Sequence, residues 1–305
     1  VTYQELEIDV RHDFLPALIT VKPQPALDLD YFLQRDVISD DPFTDEIEPA
    51  EIFTLGVQVQ NRGVGTAKDL RIESAQPKII ENEKGLLIDF EIVGTSVNGE
   101  PAERTLTALI GDLPGGELAI AEWQLESTLQ GLFTEYEASF EHISDFGSPE
   151  LSLIKSVEIH ELIRAVQATA SGIDDSLTDF LVNDIPDPQD SPDSLYLSDG
   201  SVVDVQLGSN GQFDSPASFS NLVVNVTASM PTGWAYVNLT DPSDGEFQLV
   251  GVRRSDGTML DPSNFWQTDR TFIGLGLRPL YENKVHLLDF DSTGNYEFIY
   301  SNGDL

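Results

Sequence analysis

Apolar and polar positions alternate with period two along most of this chain, which is the pattern of strands with one buried face. Val1–Val10 alternates through Tyr3, Leu6, Ile8 and Val10 and predicts a strand. Ala17–Val21 and Ala26–Phe32 predict two more, bounded by Pro16, Pro23 and Pro25. The clearest is Ile52–Gln60, with Phe53, Leu55, Val57 and Val59 on one face. It runs into Asn61-Arg-Gly-Val-Gly-Thr-Ala67, rich in residues that tolerate turns. Further strands are predicted at 69–74, 85–93, 104–110, 119–126 and 133–142, with Asn98-Gly99 as a type I′ hairpin turn. The segment 150–168 is ambiguous: its first half favours a strand, and its second half fits strand or helix.

Residues 168–193 are rich in Ser, Asp and Pro and read as a linker. Beyond it, strands are predicted at 194–197, 201–207, 221–228, 235–239, 247–253, 285–290 and 296–300, with Ser255-Asp-Gly257 as one of the turns between them. The spacing of short strands predicts an all-β protein of two β-sandwich domains in tandem: 1–168, then a linker at 169–193, then 194–305. A length of 305 residues suits two domains.

Charge changes the picture most. The chain carries 53 Asp+Glu against 16 Lys+Arg, a formal net charge of -37, spread over both halves. Such a chain repels phosphate, which argues against a nucleic-acid partner and against anionic membrane surfaces. No apolar run is long enough for membrane insertion as a helix. Two readings of the acidity stay open: solubility by mutual repulsion, which favours a monomer, and calcium binding by carboxylates. There is no cysteine, which removes disulfides and thiolate chemistry and fits a large exported bacterial domain. The chain begins at Val1, as an internal fragment or processed chain would.

The run Phe53–Leu70, with Asn61, Gly63, Gly65 and Ala67 at fixed spacing, resembles the CARDB-type and related immunoglobulin-like domains of large bacterial surface proteins. Leu109-Ile-Gly-Asp-Leu-Pro-Gly-Gly116 ahead of Trp123 is similar to a segment of the same domains. The likeness covers about residues 20–145. In the second half, 289–300 resembles the last hairpin of bacterial immunoglobulin-like repeats. The resemblance implies an immunoglobulin-like fold and a non-catalytic structural or adhesive role at the cell surface or outside the cell. Its partners would be neighbouring domains of the same protein, or a cell-surface protein or glycan. It carries no catalytic residue to this chain.

Motifs for chemistry are sparse. His12, His142, His160 and His286 lie in no H-x-H or HExxH spacing, and His160-Glu161-Leu-Ile-Arg164 lacks the second histidine. A Gly-x-Ser-x-Gly elbow is missing, and Gly274-Leu-Gly276 is too short for a dinucleotide fingerprint. No cofactor is required on this reading, with Ca2+ as the candidate ion. Its candidate ligands are Asp40, Asp41 and Asp45 in one loop, Asp187 and Asp190 in the linker, and Asp289 and Asp291 in the last hairpin. The last pair opens like an EF-hand loop but has no acid at the twelfth position, so a hairpin turn is the competing reading. Trp234, Tyr236, Trp266 and Arg270 form the alternative candidate site, for a sugar that stacks on flat rings, as in a carbohydrate-binding or accessory module of a secreted enzyme. Core packing competes for the same rings.

Overall fold

The computed structural model describes residues 2–5, 8–11, 23–41, 45, 47–73, 89–132, 153–172, 175–185, 191–213, 222–271 and 280–301. The strands expected at 17–21 and 133–142, and the start of that at 85–93, lie outside the described residues. The protein is all-β. Among the described residues the only helical elements are 3-10 turns, including Ala168–Ser171 and Pro262–Asn264. No helix there is long and apolar enough to cross a membrane.

The strands run in chain order as β1 (Thr2–Glu5), β2 (Ile8–Arg11), β3 (Leu27–Gln34), β4 (Asp36–Val37), β5 (Phe53–Asn61), β6 (Ala67–Glu73), β7 (Phe90–Val97), β8 (Glu100–Pro101), β9 (Thr107–Leu113), β10 (Leu118–Ser127) and β11 (Gly131–Leu132). There follow β12 (Ile154–Val166), β13 (Asp179–Val182), β14 (Ser194–Tyr196), β15 (Val202–Asp204), β16 (Gln206–Leu207) and β17 (Ser209–Phe213). The last six are β18 (Val223–Ser229), β19 (Trp234–Thr240), β20 (Gln248–Arg254), β21 (Phe265–Thr271), β22 (Leu280–Phe290) and β23 (Asn295–Ser301).

A nine-stranded sheet in the order β15-β14-β13-β12-β3-β5-β10-β7-β8 dominates the first part. Its pairings are antiparallel except β12 with β3, which is parallel. One face buries Leu29, Tyr31, Leu55, Val57 and Trp123 under the β6–β9 pair, which contributes Ile72 and Ala108. The fully buried indole of Trp123 donates to the Thr105 carbonyl at 2.8 Å.

The Asn61 corner has a physical cause. The Asn61 side chain is buried and uses both of its ends. Its oxygen accepts from Ala26 N and Gly63 N, each at 3.1 Å. Its amide donates to the carbonyls of Gly65 at 2.8 Å and Leu113 at 3.0 Å. Gly63 and Gly65 press on the backbone of residues 23–26, where a Cβ on either would collide with main-chain atoms. The Asn98-Gly99 turn closes β7 onto β8 with φ of 50° and 76°, as a type I′ turn demands.

Two expectations are corrected, and one open segment is decided. The alternation over Val1–Val10 is shared between two strands, β1 and β2, which pair with each other; period two records faces, not chain reversals. The ambiguous segment is strand throughout Ile154–Val166. The stretch read as a linker holds β13, all four of whose residues are buried. Asp-Phe-Leu-Val is short and flanked by acids and prolines, so its burial depends on neighbours and not on local pattern. The first sheet therefore continues through Asp204.

From Gln206 onward two four-stranded sheets, β16-β19-β22-β21 and β17-β18-β23-β20, face each other. They share one core containing Val226, Val237, Val252, Leu287 and Phe298. A third apolar cluster joins the two parts. Leu181, Leu195, Leu197 and Val166 come from the first, and Trp234, Tyr236 and Leu288 from the second.

Candidate functional site

Strand pairing assembles one polar cluster that the sequence keeps far apart. In the parallel β3/β12 pair, Asp30 lies beside Glu158 and Phe32 beside His160. Alternation places Glu158 and His160 on the same face of β12. On the far side of β12, β13 supplies Phe180 and then Asp184 just past its end, and β14 supplies Tyr196.

His160 is only 5% exposed. Its ring stacks on Phe32 at 5.3 Å between centroids and lies tilted against Tyr196 at 4.5 Å. Phe32 in turn stacks on Phe180 at 4.1 Å. Nδ1 meets the two Asp184 oxygens at 2.9 and 3.1 Å, and Nε2 meets Asp30 Oδ1 at 3.4 Å. The Tyr196 hydroxyl donates to Asp184 Oδ2 at 3.1 Å. Burial works against the imidazolium, but hydrogen bonds and charge from Asp184 and Asp30 overcome it and raise the His160 pKa to about 9. At neutral pH the ring is therefore a cation that donates from both nitrogens. Asp30, Glu158 and His160 bring one ligand atom each within 4.8 Å of one another, a separation from which a metal ion is reachable.

The rings expected to bind sugar are placed elsewhere. Trp234 is 4% and Tyr236 5% exposed, both within the apolar cluster between the two parts of the chain. A sugar stacks on a ring face open to water, so these two are closed to it. Trp266 is half-buried; His286 stacks on it at 5.0 Å with 3° between planes, and Arg164 lies 5.5 Å over it. Arg270 is buried and faces protein: it forks onto Asp269 and reaches Ser39 O at 3.2 Å and Gln130 Oε1 at 2.9 Å.

Most of the carboxylates expected to hold calcium have protein donors instead. Asp40 Oδ1 accepts from Glu48 N at 3.2 Å, and Asp41 Oδ2 accepts from the Tyr281 hydroxyl at 3.1 Å. Asp289 is fully buried, accepts a two-pronged bond from Arg254 and takes the Tyr296 hydroxyl at 3.0 Å. Asp291 accepts from Gly233 N at 2.7 Å. The last hairpin is thus a turn closed by its own chain. Asp45 is exposed, and Asp187 and Asp190 lie outside the described residues.

His286 is the chemical opposite of His160. Its Nδ1 meets the Tyr236 hydroxyl at 2.7 Å and its Nε2 meets Thr268 Oγ1 at 2.8 Å. Burial, then the Lys284 and Arg164 charges, push its pKa down to about 3, so it is neutral. In the sequence His160 stands out only as a failed HExxH; Asp184 reads only as one of a run of loop carboxylates and Asp30 carries no local signal, because strand pairing brings both to the histidine.

No family model matches this chain. No curated protein matches it either. Among solved structures, the secreted serine protease VesC from Vibrio cholerae aligns over 92% of this chain at 13% identity, with a TM-score of 0.19. The aligned part is 51% of that protein's chain, so this chain spans about half its length. At that TM-score the likeness carries no argument.

Proposed function

We propose that this chain is a non-catalytic structural or adhesive module of a large acidic secreted or cell-surface protein, built from immunoglobulin-like sandwiches, that spaces or presents neighbouring domains. The observation that carries this reading is the apolar seam between the two parts. Val166, Leu181, Leu195 and Leu197 pack against Trp234, Tyr236 and Leu288, so buried apolar contact lies at the junction. Interfaces between domains that move are smaller and more polar. Polar contacts flank the seam: Asn264 and Gln167 exchange two bonds at 2.8 and 3.0 Å, and Arg270 reaches Ser39 and Gln130. A spacer must transmit position, and a junction of this kind does so.

Two further observations support it. The residues of the Asn61–Ala67 resemblance have a purely architectural task, the corner between β5 and β6. The aromatic residues best suited to a ligand are spent on the seam. The negative charge keeps such modules apart in solution. The role requires no cofactor.

Pulling the chain from its two ends in a single-molecule force experiment tests the proposal. A spacer gives one major rupture that releases both parts together. Separate ruptures of the parts at low force, or glycan-array binding lost in Trp266→Ala, would overturn it in favour of a hinged or sugar-binding module.

A further inference from the structure

We propose that Asp30, Glu158 and His160 form a binding site for one divalent cation of the zinc class, with Asp184 and Tyr196 holding the histidine in its ligating orientation. This goes beyond the structural role above and stands independently of it.

The donor set carries the argument. The three ligand atoms lie within 4.8 Å of one another. Around a tetrahedral zinc with bonds of about 2.1 Å, neighbouring ligand atoms sit about 3.4 Å apart. Closing that difference asks for a small rotation of Glu158, whose side chain is exposed and free to turn. Asp30 and Glu158 are direct cross-strand neighbours of like charge, an arrangement that costs stability and that a divalent ion offsets more fully than the single charge of the His160 imidazolium.

The surroundings of His160 have the form of a metal ligand's support. A ligating histidine gives its second ring N–H to a carboxylate, which fixes ring and tautomer and makes the free nitrogen a better donor. Here Nδ1 is on Asp184, Tyr196 holds Asp184, and Phe32 and Tyr196 fix the ring plane. Nε2 is thereby aimed at Asp30 and Glu158, and a metal ion binding there takes the place of the Nε2 proton, which leaves to solvent. The ring is 95% covered, counting from its 5% exposure, so its orientation is set by packing. An imidazole nitrogen with two carboxylates selects zinc-like ions over calcium, which takes oxygen ligands. Bound there, the ion would bridge β3 and β12, joining residues distant in sequence across the one parallel pairing of the large sheet.

The test is a titration of the full chain with ZnCl2 in 0.15 M NaCl, followed by calorimetry, with Co2+ absorption as a second readout. The expected result is one saturable zinc site per chain that calcium at equal concentration does not displace. Glu158→Gln, an exposed change that leaves the core untouched, weakens binding at least tenfold, as does His160→Gln. Asp184→Asn weakens it by roughly 10- to 100-fold, the range of lost supporting carboxylates. Zinc also raises the melting temperature of the wild-type chain and not of Glu158→Gln. Absence of saturable binding in that salt overturns the proposal. So does binding of equal strength in Glu158→Gln, which would mark diffuse attraction to the acidic surface, and so does displacement of zinc by equal calcium.

Discussion

Arg270 donates from Nη1 to Oε1 of Gln130 at 2.9 Å, across 140 residues of sequence. The same nitrogen reaches Ser39 O, and the rest of the guanidinium is held by Asp269. One buried cation thus ties the β21 strand to the loop after β4 and to the turn before β11. Arg270→Ala takes this donor from the carbonyl of buried Ser39 and from Oε1 of half-buried Gln130. It should cost about 2–3 kcal/mol in urea denaturation, while Arg270→Lys recovers part of that because a point charge replaces the fork. A loss under about 0.5 kcal/mol, the level of an ordinary surface change, would show that the tie is ornamental.

Asn61→Ala removes four hydrogen bonds at one buried corner and is expected to destabilise by about 3 kcal/mol. Asn61→Asp should do no better, since its carboxylate would face the carbonyls of Gly65 and Leu113 in place of the lost amide. Chemical denaturation of the two variants side by side checks both points.

The buried pair of Asp289 and Arg254 predicts a third outcome. Asp289→Asn leaves the guanidinium without its charge partner beside the Tyr296 hydroxyl. The expected loss is about 3 kcal/mol, near the low end for breaking a buried pair because Arg254 is partly solvated. If the hairpin bound calcium through Asp289, chelation with EGTA would produce a comparable drop in melting temperature in the wild type; no change is expected.

Acid should act through His286. Its folded pKa of about 3 lies below the unfolded value of 6.5, so the unfolded state takes up the proton first. Its contribution is complete above pH 6.5 and is lost progressively as pH falls towards 3. The size is on the order of 5 kcal/mol, from 1.36 kcal/mol per pKa unit. His286→Gln should flatten the stability profile between pH 6 and 4, measured by denaturation at each pH. An unchanged slope would assign acid sensitivity to other groups.

How much of this was legible beforehand differs residue by residue. Phe53, Leu55, Val57 and Val59 announced a half-buried strand by alternation, and Asn98-Gly99 announced its turn, because both signals are local. Strand β13 gave no such signal: its four residues are buried on both faces, and the acids and prolines around it dominate the local composition. Trp266 and Arg270 read as ligand-binding side chains, although both lie on strand β21, where Trp266 packs against the seam cluster and Arg270 reaches Ser39 and Gln130. The His160 cluster was least legible, since Asp30 meets Glu158 only through a parallel pairing that no short-range pattern encodes.

On the proposed reading, the two parts form one mechanical body through the seam of Leu181, Leu195, Trp234, Tyr236 and Leu288. Differential scanning calorimetry of the full chain tests it most directly. A single transition whose calorimetric and van't Hoff enthalpies agree is expected. Two resolved transitions, with one part melting while the other stays folded, would contradict it.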